Sequence, residues 1–136
     1  MKLITKNTDY AIRALCTMAE SNNDKKIFSV SELVKVLKIP RPFLRKILQI
    51  LHKEKILNSY KGQGGGFSLA IAPDKIFVVK LIEIFQGPLK LNNCAFIKNI
   101  CPDVNSCRLR RKIDSIERHV LSELKSTTIT SLLNGR

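Results

Sequence analysis

Ser29-Val30-Ser31-Glu32-Leu33-Val34-Lys35-Val36-Leu37-Lys38-Ile39-Pro40-Arg41-Pro42-Phe43-Leu44-Arg45-Lys46-Ile47-Leu48-Gln49-Ile50-Leu51 is the stretch that decides the fold. Ser29 and Glu32 have the spacing of a capping box, so a helix starts here and carries Leu33, Val34 and Leu37. Lys38-Ile39-Pro40 cannot continue it, because proline lacks the amide hydrogen and clashes with the preceding turn. Pro42 is harmless in the first turn of a helix and opens a second one, through Phe43, Leu44, Ile47, Leu48 and Leu51. Two short helices joined by so brief a turn make a helix-turn-helix pattern, whose second helix enters a major groove. With Phe43, Ile47 and Leu51 turned inward, Arg45, Lys46, Gln49, His52 and Lys53 fall on or near the opposite face, with Arg41 at its start. These side chains can reach base edges and phosphates. The same pattern also describes a solvated charged face.

Working outward, residues 56–60 and 67–70 read as two short strands around Lys61-Gly62-Gln63-Gly64-Gly65-Gly66. A phosphate-cradling P-loop needs a helix and a Lys-Ser or Lys-Thr pair after its glycines, and a strand-like segment follows here instead. A basic hairpin directly after a helix-turn-helix reads as the wing of a winged helix, with Ser59, Lys61, Gly62, Gln63 and Gly64 placed to approach the sugar-phosphate backbone. Upstream, residues 8–20 place Ala11, Leu15 and Met18 at helical spacing, with Thr5 or Thr8 as N-cap, and residues 22–26 form a polar turn. Downstream, a helix over 75–86 packs through Val79, Ile82 and Phe85 and stops at Gly87-Pro88. Residues 89–106 have no period and read as a loop. From 107 to 125 the positions Leu109, Ile113, Ile116, Val120, Leu121 and Leu124 form an apolar stripe on the longest helix of the chain. Such a stripe needs a partner, and a second copy is the simplest one, with Ile113, Ile116, Val120 and Leu124 at the contact. Residues 128–133 read as a last short helix.

The fold class expected is therefore mainly α with one small β-hairpin: a winged helix-turn-helix over 1–88, a cysteine-bearing loop over 89–107, and a dimerisation helix with its tail over 108–136. With 136 residues there is room for one real core. Lys and Arg number 24 against 11 acids, for a formal charge of +13, which favours a polyanionic partner such as nucleic acid or an anionic membrane surface, and charge alone does not choose between them. Of these, 16 basic and 7 acidic residues lie within the first ninety, so the N-terminal part holds most of the charge. No run of about 18 apolar residues is present and residues 1–7 lack a signal peptide's apolar stretch, from which a cytoplasmic protein with no membrane partner is expected. No Ser-His-Asp, Cys-His or paired-carboxylate arrangement is legible, and His52 and His119 stand alone, so no enzyme is expected.

Cys94, Cys101 and Cys107 fall within fourteen residues. In a reducing compartment such a group reads as metal ligands or redox thiols. Three thiolates suit an iron-sulphur cluster or zinc, and the close Cys-x-x-Cys pairs usual in structural zinc are missing. A thiol switch and inert packing remain as alternatives. Cys16, on the core side of its helix, reads as a small buried hydrophobe.

In this order the pieces resemble the Rrf-two family of winged-helix transcription regulators over nearly the whole chain. The resemblance is carried by residues 3–15 with Asp9-Tyr10-Ala11, by the helix from Ile39-Pro40 to Leu51, and most specifically by the glycine-rich wing Lys61 through Ala70. It implies binding to a palindromic operator as a homodimer, with the long helix as the dimer contact. It also implies, as in cluster-binding members, a 2Fe-2S or 4Fe-4S iron-sulphur cluster on Cys94, Cys101 and Cys107. The spacing Cys94-x6-Cys101-x5-Cys107 is one residue longer in its first gap than in well-known members. Arg110 stands where some members place a histidine ligand; others use an aspartate early in the first helix of the other subunit, and Asp9 matches that position. The expectation is a regulator whose cluster reports iron-sulphur, oxygen or nitric-oxide status. The alternatives are a cluster-free regulator governed by a partner protein or thiol redox, and an iron-sulphur redox protein with a basic docking surface.

Overall fold

The computed structural model describes residues 3–20, 27–89 and 108–135. They form α1 (Lys6–Glu20), α2 (Val30–Leu37), α3 (Arg41–Lys53), β1 (Leu57–Tyr60), β2 (Gly66–Leu69), a 3-10 turn (Pro73–Lys75), α4 (Val78–Gln86), α5 (Arg108–Lys125) and α6 (Ile129–Asn134). The polar turn at 22–26 and most of the cysteine-bearing loop, with Cys94, Cys101 and Cys107, lie outside the described residues.

α1 starts two residues earlier than its periodicity predicts, because Thr5 is the cap: its carbonyl accepts from Asp9 N at 2.9 Å and its hydroxyl from Thr8 N at 3.4 Å. Thr8 sits inside the helix, buried, and donates its hydroxyl to Gln86 Oε1 at 2.7 Å. The same Oε1 accepts from Thr5 N at 3.0 Å, and Gln86 Nε2 donates to the Leu3 carbonyl at 3.0 Å. One amide at the end of α4 thus pins the entry to α1. Ala11, Ala14, Leu15 and Met18 of α1 are buried in the core, and α2, α3, α4, α6 and β2 all pack against this helix.

Ser29 caps α2 where the sequence places the start, its Oγ accepting from Glu32 N at 3.1 Å and donating to Glu32 Oε1 at 3.2 Å. α2 closes on Lys38 in the left-handed conformation, its N–H bonded to the Val34 carbonyl. The inward face of α3 differs from the expectation. Leu44, Ile47, Leu48 and Leu51 are buried, a complete i, i+3, i+4, i+7 stripe, whereas Phe43 is 56% exposed. Adjacent residues lie about 100° apart around a helix, so a core centred on Leu44 and Leu51 turns Phe43 out.

β1 and β2 pair antiparallel from Leu57↔Leu69 to Tyr60↔Gly66. The hairpin has a third partner that the sequence did not announce: Phe28 exchanges both backbone bonds with Phe67, each 2.8 Å. This joins the wing to the segment entering α2. The join depends on Gly66, where a Cβ would lie 2.2 Å from the Phe28 carbonyl oxygen. α4 begins at Val78 rather than at 75, since Pro73–Lys75 closes as a 3-10 turn. With that later start, Val78, Leu81 and Ile82 take the core; of the expected trio Ile82 is buried, and Val79 and Phe85 are half-buried.

After α5 the chain returns to the body. Val78 N donates to the Thr127 carbonyl and Ile129 N to the Ile76 carbonyl, both at 3.0 Å. Thr128 and Ser131 form a capping box that starts α6, whose Ile129 is buried in the core beside α1. Among the described residues no helix is long and apolar enough to cross a membrane.

Gly66→Ala should lower stability by about 2–3 kcal/mol, because the methyl group meets backbone rather than a movable side chain. Gly62→Ala, at φ 88° but facing open space, should cost about 1 kcal/mol. Urea titrations followed by circular dichroism compare the two; equal losses would mean that the Phe28–Phe67 join does not hold the wing.

Candidate nucleic-acid interface

The helix-turn-helix and the wing converge on one groove of ≈ 410 Å³, lined by Val30 and Ser31 at the start of α2, Arg41, Arg45 and Gln49 of α3, and Ser59, Tyr60, Lys61, Gly65, Gly66 and Phe67 of the hairpin. Three local facts produce it. The i, i+4, i+8 spacing of Arg41, Arg45 and Gln49 puts them in one row along α3. Arg41 is held to α2 by donation from Nη2 to Ser31 Oγ at 3.0 Å. The hairpin is held beside α2 by the Phe28–Phe67 bridge and beside α3 by His52, whose Nδ1–H donates to the Leu57 carbonyl at 3.1 Å. His52 is therefore a brace for the wing.

Of the residues expected to bind DNA, Arg41, Arg45, Gln49, Ser59 and Lys61 meet in this groove. Lys46 and Lys53 are exposed on α3 but do not line it. Gly62, Gln63 and Gly64 are exposed at the hairpin tip, where Gly62 and Gly64 hold φ of 88° and 77° and Gly65 N closes the turn on the Gly62 carbonyl at 3.0 Å. Ser31 and Tyr60 line the groove without having been singled out. Ser31 was absorbed in the cap, and Tyr60 lies in a strand whose last three residues are all exposed, so no alternation pointed to it. Tyr60 is placed by its hydroxyl, which accepts from Ser68 Oγ at 3.3 Å. The groove combines donors suited to base edges with cations suited to phosphates, and its glycine-rich side lets backbone come close.

Asp9 stands in the first turn of α1 and pairs with Arg13, Nε to Oδ2 at 3.1 Å. Arg13 is exposed and Asp9 partly exposed, so the pair is a weak one. It leaves the carboxylate available for exchange to another cation. Cys16 is a free thiol; burial, and then the Glu20 carboxylate, raise its pKa above the ordinary thiol value, which keeps it protonated and unreactive near neutral pH. Among the described residues no three His, Cys, Asp or Glu side chains gather as a metal site.

A recognition helix, a hairpin wing tied to it and a cationic groove between them define a winged helix-turn-helix DNA-binding regulator. The chain belongs to the Rrf2 family of iron-dependent transcriptional regulators, which it matches over residues 4–135. It is 39% identical over 127 residues, 92% of this chain and 87% of the relative, to a protein of Aquifex aeolicus named as an HTH-type transcriptional regulator. In fold it is similar to CymR, the global cysteine regulator of B. subtilis, with a TM-score of 0.80 at 20% identity, covering 100% of this chain and 99% of that one. It is also similar to T. potens IscR, with a TM-score of 0.73 at 19% identity and coverage of 98% and 87%. A family of transcriptional regulators is not one of enzymes, and membership sets aside the reading as an iron-sulphur redox carrier.

Binding to a specific duplex should weaken steeply as salt rises, because each neutralised phosphate releases counterion. Arg45→Ala and Gln49→Ala should each lose about 1–3 kcal/mol of discrimination at particular base pairs, while Lys61→Ala weakens all sequences alike. Fluorescence anisotropy on matched and mismatched duplexes separates the two classes. Specific binding left intact by Arg45→Ala would refute the assignment of this groove.

Proposed function

We propose that the protein acts as a homodimer on palindromic operators, and that an iron-sulphur cluster held by Cys94, Cys101 and Cys107 sets its affinity. The observation that carries this reading is α5. Its 18 residues include none that is buried, and its apolar stripe is left open, with Leu109 69% and Ile116 42% exposed. Ile113, Val120 and Leu124 of the same stripe are half-buried. A helix about 27 Å long with a partly open apolar stripe is completed by a second copy. A two-fold dimer then presents two recognition helices to successive major grooves.

The chain's own donors support the cluster. Cys107 immediately precedes Arg108, the first residue of α5. A thiolate bound there would fix the start of the dimer helix, so the ligand state and the dimer geometry share one element. Three thiolates are the donors that iron-sulphur clusters take, and the Asp9 carboxylate of the second copy would be a harder oxygen ligand for the remaining iron. Such a group supplies an iron site whose weakest ligand is open to oxygen or nitric oxide. For Asp9 to serve, its contact with Arg13 must be released, at little cost for an exposed pair. The shift of α5 on binding would change the spacing of the two recognition helices without touching a base contact. A cluster-free regulator controlled by a partner protein or by thiol chemistry is the second reading, favoured by the longer first gap between the cysteines and by Arg110 in the histidine position.

Anaerobically purified protein should be coloured and contain iron and acid-labile sulphide. Replacing Cys94, Cys101 or Cys107 with alanine should abolish the visible absorption. Asp9→Ala should keep a cluster that is lost faster to oxygen or nitric oxide, and Cys16→Ala should change nothing. A colourless wild type without iron would leave the second reading in place. Ile116→Glu buries a charge in the proposed two-fold contact and should yield monomers in sedimentation velocity; a variant still dimeric would place the contact elsewhere.

A further inference from the structure

The outward turn of Phe43 leaves a phenyl ring on the first turn of the recognition helix. A single exposed apolar residue is ordinary on a protein surface. Its position here is not, because Phe43 stands on the one helix that enters the groove, beside exposed Pro42 and one turn before exposed Lys46. Residues of the first turn reach deepest into a major groove. A phenyl ring there gains nothing from phosphates and has no donor or acceptor for a base edge. The apolar feature that a major groove displays is the C5-methyl group of thymine.

We propose that Phe43 reads a thymine methyl group in each half-site of the operator. At 100° per residue, Phe43 and Arg45 lie roughly 160° apart around α3 and flank its outward face from opposite sides. Arg45 lines the groove shared with the wing, and Phe43 lies on the side away from it. The thymine read by Phe43 is therefore a different base pair from the one read by Arg45. The inference rests on the DNA-binding reading and adds to it an apolar specificity contact that the charged and polar residues of α3 do not provide.

The test starts with in vitro selection from a random duplex library, using the full-length protein under anaerobic conditions as wild type, Phe43→Ala and Phe43→Leu. Both variants should match the wild type in circular dichroism, since the ring is outside the core. The wild-type motif should carry one thymine column in each half-site that disappears for Phe43→Ala and weakens for Phe43→Leu. Replacing that thymine by deoxyuridine removes only the methyl group; it should weaken wild-type binding about fourfold, the equivalent of one buried methyl, and leave Phe43→Ala unaffected. The same motif and the same response to deoxyuridine in wild type and Phe43→Ala would overturn the inference while leaving the DNA-binding reading intact. Failure of the wild type to enrich any motif would overturn both.

Discussion

The close approach of five elements to α1 is the constraint on which the rest of the structure depends. Ala11 and Ala14 have no exposed surface and no side chain beyond Cβ, so neighbouring backbones can come in where a larger residue would hold them off. Leu15 and Met18 then fill the space between α1 and the elements around it. Because the recognition helix α3, the C-terminal helix α6 and α4 all rest on this helix, their positions are referred to a single rigid support. The buried Thr8–Gln86 bond adds direction to this packing, since a hydrogen bond fixes the register of α1 against α4 where apolar contacts alone permit sliding.

The groove between α3 and the wing is assembled on that support by backbone geometry as much as by side chains. Its wing is not a free hairpin, because Phe28 pairs with Phe67 and Gly66 makes room for the approach. The isolated two-stranded hairpin is a marginal structure, and this extra bridge together with the His52 brace gives it a defined place beside α3. The side chains that line the groove keep their spacing before any ligand arrives, so less ordering entropy is lost on binding.

α5 belongs to a different order of construction. Its first residue follows a cysteine, its last turn leads into the Thr127–Thr128 connection that pairs with the start of α4, and α6 then lies against α1. The helix is thus anchored to the body at its C-terminal end, while its apolar stripe is only partly covered, with Leu109 and Ile116 exposed.

Most of the elements were legible because they are determined within a few residues. The Ser29 cap, the prolines at 40 and 42, the glycines of the wing and the stripe of α5 each act through a local hydrogen bond, a restricted φ or a helical period. The groove residues Arg41, Arg45 and Gln49 followed from the same periodicity. What only the tertiary structure decided involves partners far apart in the chain. Helical spacing permits either Phe43 or Leu44 at the edge of the apolar face, and the core beneath α3 selected Leu44. Phe28 carries no local sign that it pairs with Phe67, since the partner of an extended residue is set by the packing of α2 and the hairpin on α1. The role of Gln86 arises from residues 78 and 81 positions away, whose donors come within its reach only once α1 has docked on α4. Local chemistry chose the elements, and burial, acting over distances that periodicity does not span, chose which face each one turned inward.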